Sequence, residues 1–552
     1  MPAPSAGMTS GRARFTKLGI YASCSRKTQS RRGSAFVSPL FLRQGPFGRW
    51  GKLAFAVLIA VLWTTSLLVL PARATSLRVA IQDDPDALDP ATSGTYTGRF
   101  VFAAMCDKLV DIGKELSIVP QLAETWQWSA DQKALTLRLR HGVTFQDGEP
   151  FDAAAVKFNI VRMLTMKDSR RKAELSPVAS VEVLAPDQVR FNLKTPFAPL
   201  LSVLSDRAGM MVSPKGAAKE DFAAHPVCAG PYAFVERKAR DVIRLAKYQG
   251  YWDKDRFGYD EVAYFYVPDS TVRLSRVRAG DIDIAERIAP TDLKTVRDDP
   301  KLKLHMSPGL AVSHLMVNVG AGEKANTPLG KDGRLRKALE LSLDRNVINK
   351  VAFNGENAPD NQMLPPSDPF HAKGYPMPGR DISAAKALIA QTGMSSVPVE
   401  LTFENSLTDA RVAQIVQSMA KEAGFDVKLL PLETSTAIER YLNGNFEAYI
   451  ANWSGRGDPD PTLYTFFSCD GGQNVNRYCN KSLEAVLDAA RAEGEIAKRK
   501  ELYEKATGIY LTDLSSIPLY HPNWFLAASV KVDGITVLPD GLLRLRDVKP
   551  VQ

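Results

Sequence analysis

The sequence predicts an α/β protein, and three patterns along the chain carry this prediction. Strand signals separated by turns dominate the part before residue 301. After about 301–319 the hydrophobic period changes to that of amphipathic helices, which alternate with short strand candidates. This alternation indicates an α/β lobe. From 517 to 545 the pattern returns to strands, so we expect this tail to pack back on the first half.

The strands of the first half are defined by alternating apolar residues and by turn residues. Leu77–Ile81 reads as a strand, and leucines alternate with polar residues over 135–139 in another. Two further candidates, 181–183 and 189–193, flank Ala185-Pro186-Asp187. Proline and aspartate favour a turn, so these two strands are predicted to form a hairpin.

The second half contains helix signals with a spacing of three or four residues. One predicted amphipathic helix carries an apolar residue at every fourth position: Leu335, Leu339, Leu343, Val347 and Val351. Another covers 412–419, with Asp409 as its N-cap and Gly424 as its C-terminal stop. Strands are expected between the helices, at 398–403, 425–430 and 447–452.

The first 74 residues resemble an export signal. Eighteen residues without a charge, 53–70, follow a basic flank and precede a small-x-small site at Ala72 and Ala74. This pattern predicts a secretory signal peptide that is cleaved near Ala74, and hence an exported protein. An uncleaved anchor helix is the alternative, because 18 residues is near the shortest length that spans a bilayer.

The leader also explains the high formal charge of the chain. The whole sequence has a net charge of +9, but the leader contains 11 Lys and Arg and no Asp or Glu, which leaves 59 basic against 61 acidic residues. The mature chain is therefore almost neutral. A nucleic-acid partner, which requires a basic patch or stripe, is not expected.

Four cysteines follow the leader, an even number in a chain bound for an oxidising compartment. Cys469 and Cys479 enclose a turn-rich segment that a disulfide would close, and Cys106 and Cys228 would then pair with each other. Four buried free thiols are the alternative. No metal site is predicted, because the sequence has no C-x-x-C and the histidines are scattered singly.

Catalytic motifs are nearly missing from the sequence. It contains no G-x-S-x-G, H-E-x-x-H, P-loop or G-x-G-x-x-G. Ser169 and Lys172 match the nucleophile motif S-x-x-K, but the partner motifs S-D-N and K-T-G do not occur. No catalytic residue and no cofactor is therefore predicted, and an exposed charged helix face is the alternative interpretation of this segment.

One loop has the composition of a binding site. It follows a strand candidate and presents Trp453, Arg456 and Asp458 before a helix at 462–467, for which Asp460 is the expected cap. Open α/β sheets bind ligands at the carboxyl ends of strands. An aromatic face, a guanidinium and a carboxylate could grip a small acid or zwitterion, because a guanidinium pairs with a carboxylate bidentately. A structural turn with solvated charges is the alternative.

A series of motifs in chain order resembles family 5 extracellular solute-binding proteins, the peptide, nickel and opine receptors of ABC importers. The series covers the chain after the leader: 121–126 (QLAETW), 137–151 (LRLRHGVTFQDGEPF), 229–232 (AGPY), 251–252 (YW), 280–283 (GDID), 336–339 (RKAL), 344–345 (DR), 354–355 (NG) and 453–455 (WSG). The resemblance implies a two-lobed type II periplasmic binding protein (Venus-flytrap), with an inserted subdomain in the first lobe.

The resemblance also implies a division of the chain. The expected ranges are 1–74 for the leader, 75–118 and 227–310 for the first lobe, 119–226 for the inserted subdomain, 311–517 for the second lobe and 518–552 for the return to the first lobe. Ligand would close the lobes by a hinge motion, and the closed form would dock on a membrane permease with its ATPase. The protein is expected to be a monomer and not an enzyme.

The resemblance implies that the loop after Trp453-Ser454-Gly455 faces the ligand. Dipeptide-binding relatives carry an acidic residue there, whereas this chain has Arg456. The departure favours a ligand that offers a carboxylate, such as an opine, a modified peptide or a glutathione-like molecule. Asp458 would serve an ammonium group or hold the loop, and Tyr96 and Asn405 are further candidates on strand-end loops. An exported serine hydrolase acting on peptides or cell-wall fragments, which requires Ser169 and Lys172 in one pocket, is the alternative function.

Overall fold

The computed structural model describes residues 75–551, so the predicted signal peptide and its cleavage site lie outside the described residues. This part of the chain is built on two large mixed sheets and one smaller antiparallel sheet. Across residues 75–551, none of the helices combines the length and the apolar character needed to cross a membrane.

The first large sheet has seven strands and forms the first lobe. In spatial order they are Leu302–Ser307, Trp524–Ser529, Ile284–Ala285, Ser76–Ile81, Glu261–Tyr266, Val242–Lys247 and Tyr232–Lys238. The predicted strand at 77–81 is confirmed and lies at the centre, parallel to both of its neighbours. Its side chains alternate between two apolar clusters, with Val79 in one and Ala80 in the other, so the sheet is covered on both faces.

The second large sheet has six strands and forms the second lobe. In spatial order they are Ala358–Pro359, Ser516–His521, Val312–Val317, Ala448–Trp453, Val397–Glu404 and Phe425–Leu432. The three strands predicted between helices, at 398–403, 425–430 and 447–452, are confirmed within two residues at either end. They run parallel to one another, and helices cover both faces of the sheet.

The inserted subdomain contains the smaller sheet and its own apolar core. Its four antiparallel strands are Ala123–Trp128, Ala134–Leu139, Gln188–Leu193 and Val178–Ala185. The predicted hairpin is confirmed, with Pro186 and Asp187 forming the turn. Short two-stranded sheets join Val110–Ile112 to Ile118–Pro120 and Val532–Asp533 to Lys549–Pro550.

Two chain segments cross between the large sheets. The first is 308–311 and the second is 522–523. The boundary predicted at 517 falls inside the strand Ser516–His521, which belongs to the second sheet. All six residues of this strand are buried, so its hydrophobic pattern does not mark where the lobe ends.

The helices lie mostly on the two faces of the large sheets. They are Tyr96–Met105, Ala153–Thr165, Lys172–Leu175, Leu200–Leu204, Pro214–Ala217, Ser270–Ala279, Leu293–Asp298, Pro328–Lys331, Gly333–Ser342, Arg345–Phe353, Ile382–Ala390, Leu407–Ala423, Thr434–Leu442, Asp460–Phe467, Lys481–Ala492 and Ile496–Asp513. Four short 3₁₀ helices are Arg207–Gly209, Lys254–Arg256, Pro290–Asp292 and Glu323–Ala325.

The single helix predicted over 335–351 is wrong, because the structure has two helices there, Gly333–Ser342 and Arg345–Phe353. Asp344 caps the second helix by accepting a hydrogen bond from the Val347 backbone N–H, and the chain is extended at this point. Val351 of the predicted apolar stripe is 56% exposed. The four-residue spacing of the apolar residues therefore continues by coincidence from the first helix into the second.

The helix Leu407–Ala423 confirms the predicted helix at 412–419 and its stop at Gly424, which adopts a left-handed conformation with φ of 113°. The predicted N-cap is wrong by three residues. Ser406 is the cap, and its Oγ accepts from the Asp409 backbone N–H and bonds to the Asp409 carboxylate. Asp409 therefore stands in the third helical position, where its backbone and side chain both bond to the capping hydroxyl.

The structure bonds Cys106 to Cys228 and Cys469 to Cys479, the pairs predicted from the sequence. Cys106 ends the helix Tyr96–Met105, and the backbone of Cys228 is joined to Gln146 by two hydrogen bonds. The first disulfide therefore ties a first-lobe helix to the base of the inserted subdomain.

Candidate ligand-binding site

Charged groups at the carboxyl ends of the parallel strands in the two large sheets lie near one another, since Asp83 and Arg287 of the first sheet act on the pKa of Glu404 in the second. In the first lobe, Ser76–Ile81 leads to Asp83, and the short strand beside it leads to Arg287. In the second lobe, Val397–Glu404 and Ala448–Trp453 end on the opposite side. Open α/β sheets place ligands at such strand ends, so the space between the lobes is the candidate site.

Arg456 lies in this space and is 9% exposed. Its Nε is 2.6 Å from Oδ2 of Asp206, which lies in the inserted subdomain of the first lobe. The guanidinium also lies 4.8 Å from the Trp453 ring centroid, and its Nη1 donates to the Ser454 hydroxyl over 3.1 Å. Burial, reinforced by the like charge of Arg99, lowers the pKa of Arg456 to about 10.

The backbone of this loop is set by Gly455. Its φ of +68° lies in the left-handed region, and a Cβ there would come within 2.1 Å of the carbonyl oxygen of Leu310. Leu310 belongs to the first crossing between the lobes. A residue with a side chain would therefore push the loop away from the crossing and move Arg456.

Arg456 is one member of a buried group that we call the arginine cluster: Arg99, Arg171, Arg207 and Arg456. Asp206 is the carboxylate shared by two of them, since Nε of Arg99 lies 2.9 Å from its Oδ1. Burial would raise the pKa of Asp206, but the charges of Arg99 and Arg456 outweigh this effect and hold the pKa well below its usual value. Asp206 is thus an ionised bridge between the two lobes.

Trp453 is anchored within the second lobe. Its indole N–H donates to the Thr462 hydroxyl over 3.0 Å, and its ring makes an edge contact with Phe466 at 5.4 Å between centroids. One face of the ring remains for the Arg456 guanidinium. The aromatic and cationic residues predicted from the loop are therefore adjacent.

Tyr96 stacks on Trp524 with 4.9 Å between ring centroids and an interplanar angle of 9°. Its hydroxyl donates to the carbonyl of Gly541 over 2.6 Å, and the Arg287 guanidinium lies 5.0 Å from its ring. Burial raises the pKa of the Tyr96 hydroxyl well above its usual value. Tyr96 is therefore a half-buried, neutral group beside the strand ends of the first lobe.

Asn405 is exposed just after its strand, and its backbone N–H donates to the carbonyl of Leu432 over 2.7 Å. The preceding residue, Glu404, points toward charges of the other lobe. Burial raises the pKa of Glu404 to about 7, and the negative charges of Asp409 and Asp83 add to this effect. The strand ends thus provide an acidic region in addition to the arginine cluster.

Asp458 is bound within its own lobe. Its two carboxylate oxygens accept from Arg499 Nη1 and Nη2, each over 2.9 Å, and one of them also accepts from the Asp460 backbone N–H. The predicted cap is wrong, because Pro459 occupies the N-cap position and Asp460 pairs instead with Arg491 at 2.8 Å. Asp458 therefore holds the loop against the second lobe.

Asp458→Asn is expected to lower the free energy of unfolding by about 2–3 kcal/mol, because it breaks a bidentate pair to the buried Arg499. Solute affinity is expected to change by less than about threefold. Chemical denaturation and calorimetric titration of the same sample measure both, with Asp298→Asn at an exposed pair as the control. Unchanged stability with a tenfold loss of affinity would instead place Asp458 against the solute.

Ser169 and Lys172 do not form a nucleophile and base pair. The Ser169 hydroxyl accepts from the Arg171 backbone N–H, whereas Lys172 Nζ donates to the carbonyl of Lys167 over 3.2 Å. Between residues 75 and 551 there is also no group of three or more His, Cys, Asp or Glu that could hold a metal ion.

Comparison with known proteins agrees with this architecture. The family model described as "Bacterial extracellular solute-binding proteins, family 5 Middle" matches residues 117–474. The chain belongs to family 5 of the bacterial extracellular solute-binding proteins. The fold is accordingly that of a two-lobed type II periplasmic binding protein, and solute binding for an ABC importer is the function of the chain.

The proteins that resemble this chain are named for several kinds of small solute. The chain is 28% identical to di/tripeptide-binding protein 2 of Pseudomonas aeruginosa, over 85% of this chain and 94% of the relative. It is 27% identical to the glutathione-binding protein GsiB of Salmonella paratyphi A, over 86% and 95%. The PBP AgaA from A. tumefaciens R10, solved with agropinic acid, superposes with a TM-score of 0.78 at 24% identity, over 86% and 99%.

Sequence patterns do not single out four residues that this family 5 site brings together: Arg99, Arg171, Asp206 and Arg207. One of them leaves a signal, because Arg99 is the only charged residue in the otherwise apolar helix Tyr96–Met105. A lone arginine flanked by buried residues requires a carboxylate partner. The identity of that partner, Asp206, depends on how the insertion folds.

Proposed function

We propose that the chain is exported to the periplasm and cleaved near Ala74, and that it captures a small carboxylate-bearing solute there. Short peptides, opines and glutathione-like molecules are the solute classes that we propose. The protein then passes the unaltered solute to the membrane permease and ATPase of an ABC importer, and it acts as a monomer without catalysing a reaction.

The burial of Arg456 between the lobes is the observation that carries this proposal. An exposed arginine on a surface loop would pair with water, whereas this guanidinium is buried between Asp206 of the first lobe and Trp453 of the second. A guanidinium fork in a partly dehydrated space binds a carboxylate more strongly than it would in water. Solute would therefore bind the closed form in preference to the open form, and this difference drives closure.

The membership of family 5 supports binding over hydrolysis. Relatives at 27–28% identity carry the names of peptide and glutathione receptors, and these solutes all bear a carboxylate. Ser169 and Lys172 hydrogen-bond to separate backbone groups, which gives no support to the exported serine hydrolase. The proposed site consists of Tyr96, Asn405, Trp453 and Arg456, with Asp458 supporting the loop.

A panel of dipeptides, opines and glutathione tests the proposal by thermal shift, with chromatography of the mixture as a check for turnover. A solute that binds only the native state raises the apparent stability by mass action, so a shift without product is the expected result. Stabilisation by no member of the panel, or the formation of a cleaved product, would contradict the proposed function.

Arg456→Ala is expected to weaken the binding of a stabilising solute by more than tenfold, because it removes the guanidinium that we place against a carboxylate. Titration calorimetry measures the change. Arg334→Ala is the matched control, since Arg334 is an exposed arginine that forms an ion pair with its neighbour Asp332 and donates to the Gln391 carbonyl. Equal affinity of the Arg456 variant and the wild type would remove Arg456 from the site.

A further inference from the structure

The arginine cluster contains more positive than negative charge. Arg99 and Arg456 share Asp206, and Arg171 pairs with Glu174 at 2.5 Å. Two carboxylates thus face four guanidinium groups, which leaves an excess of two positive charges. An excess of buried charge is costly unless a counter-charge enters the same space.

A neighbouring charged group does not supply that counter-charge. Asp540 pairs with Arg544 at 3.0 Å, and Arg544 also pairs with Asp111 at 2.8 Å. Asp111 is in turn bonded to Lys108. The charge of Asp540 also acts on Arg99, but the Asp540 carboxylate is held by Arg544, and in the described residues no ion pair joins it to the arginine cluster.

Arg207 is the member with the least compensation. It is 3% exposed, and its Nη1 donates only to the backbone carbonyls of Ser93 and Thr95, over 3.0 and 3.2 Å. In the described part of the chain it has no carboxylate within ion-pair distance, and its Nε has no hydrogen-bond partner. Burial and the charge of Arg171 lower the pKa of Arg207 well below its usual value.

Arg171 shows the same deficit on a smaller scale. It is 4% exposed, and its Nε also has no hydrogen-bond acceptor although Nη1 is paired with Glu174. Two buried guanidinium groups therefore present N–H donors without acceptors. An acceptor that is missing from two neighbouring arginines points to a bound anion.

We infer that the solute presents two negative charges to the arginine cluster, as a pair of carboxylates or as one phosphoryl group. This inference rests on the proposed function, because it assigns the charge of the solute that the same cleft captures. A guanidinium group can donate two parallel hydrogen bonds either to a carboxylate or to a phosphoryl group. A solute with a single carboxylate would leave one positive charge uncompensated.

The inference also predicts that the charge of the solute affects closure of the lobes. Arg99, Arg171 and Arg207 belong to the first lobe with its insertion, and Arg456 arrives from the second lobe. Closure therefore adds a fourth guanidinium to a group that already contains three. A doubly charged anion would offset the repulsion among the four guanidinium groups of the closed form. It would therefore bind the closed form more tightly than the open form, in which only three are present.

Matched dipeptides test the inference on the wild-type protein. Ala-Glu and Ala-Gln have nearly the same shape, and at neutral pH they carry two carboxylates and one carboxylate. Alanyl-phosphoserine and Ala-Ser form the second pair, which separates a phosphoryl group from a carboxylate. Titration calorimetry should show at least tenfold tighter binding for the more highly charged member of at least one pair.

Equal affinities within both pairs would overturn the inference and leave solute binding intact. Binding of none of these dipeptides, nor of glutathione or agropinic acid, would overturn the proposed function together with the inference. The two failures are therefore distinguishable in a single set of titrations.

Arg207→Gln provides a second test. It should reduce the preference for the more highly charged dipeptide to below about threefold, and the solute-free protein should be no less stable than the wild type because a buried uncompensated charge is gone. Arg334→Gln, which removes an exposed charge, should retain the full preference. A variant of Arg207 that keeps the tenfold preference would show that the second charge does not depend on the cluster.

Discussion

Asp206→Ala is expected to lower the free energy of unfolding by about 3–5 kcal/mol, because it leaves Arg99 and Arg456 buried without their shared counter-charge. Chemical denaturation of the purified protein measures the loss. Asp298→Ala, at an exposed pair with Lys294 on one helix face, is the control and should cost less than about 0.5 kcal/mol.

A second substitution separates the charge effect from a packing defect. Arg99→Met in the Asp206→Ala background should recover part of the lost stability, because it removes a guanidinium that the first change leaves unpaired. If the single variant loses less than about 1 kcal/mol, or if the double variant is less stable than the single one, Asp206 does not act as the bridge described.

The same carboxylate predicts a pH dependence. Its pKa is well below the ordinary value, so its contribution is complete above about pH 4, the ordinary pKa of aspartate, and is lost as the pH falls through the folded-state value. The wild type should therefore lose stability more steeply than Asp206→Ala below about pH 4. Parallel pH profiles for the two proteins would contradict an ionised Asp206 in the cleft.

The fold could be predicted from the sequence because its signals are local. The apolar pattern of Leu77–Ile81 predicts a strand whichever sheet the strand joins. The ordered motifs of the family predict two lobes without knowledge of the contacts between them. The failures are local as well. Asp344 starts a new helix within a continuous stripe, and Ser406 takes the cap that Asp409 was expected to supply.

The site could be predicted only where it lies at the end of one strand. Trp453 and Arg456 follow Ala448–Trp453 directly, so a strand-end rule finds them. Asp206 lies 250 positions before Arg456 in the chain, and Arg99 lies a further 107 before Asp206. No periodicity connects such positions. Their meeting depends on how the insertion packs against the first lobe and how the lobes close.

Removal of the Cys106–Cys228 disulfide is expected to cost about 3–5 kcal/mol, more than removal of Cys469–Cys479, at about 3 kcal/mol or less. The reason is loop length in the unfolded chain, since the first bridge spans 122 residues and the second spans 10. Double Cys→Ala variants of each pair, unfolded in guanidinium chloride, measure the two losses separately. A larger loss for the shorter loop would contradict the chain-entropy argument.

The first disulfide should also affect the binding site, which provides a second readout. Cys106 directly follows the helix that carries Tyr96 and Arg99, and Cys228 lies two residues after the predicted insertion, 119–226, which carries Asp206. Without the bridge, polar contacts such as the ion pair between Arg99 and Asp206 and the hydrogen bonds of Gln146 to the first lobe must hold the insertion in place. We expect solute affinity to fall in the Cys106→Ala/Cys228→Ala variant and to stay within about threefold of wild type in the Cys469→Ala/Cys479→Ala variant. Equal affinity in both variants would show that the insertion is positioned without help from the Cys106–Cys228 disulfide.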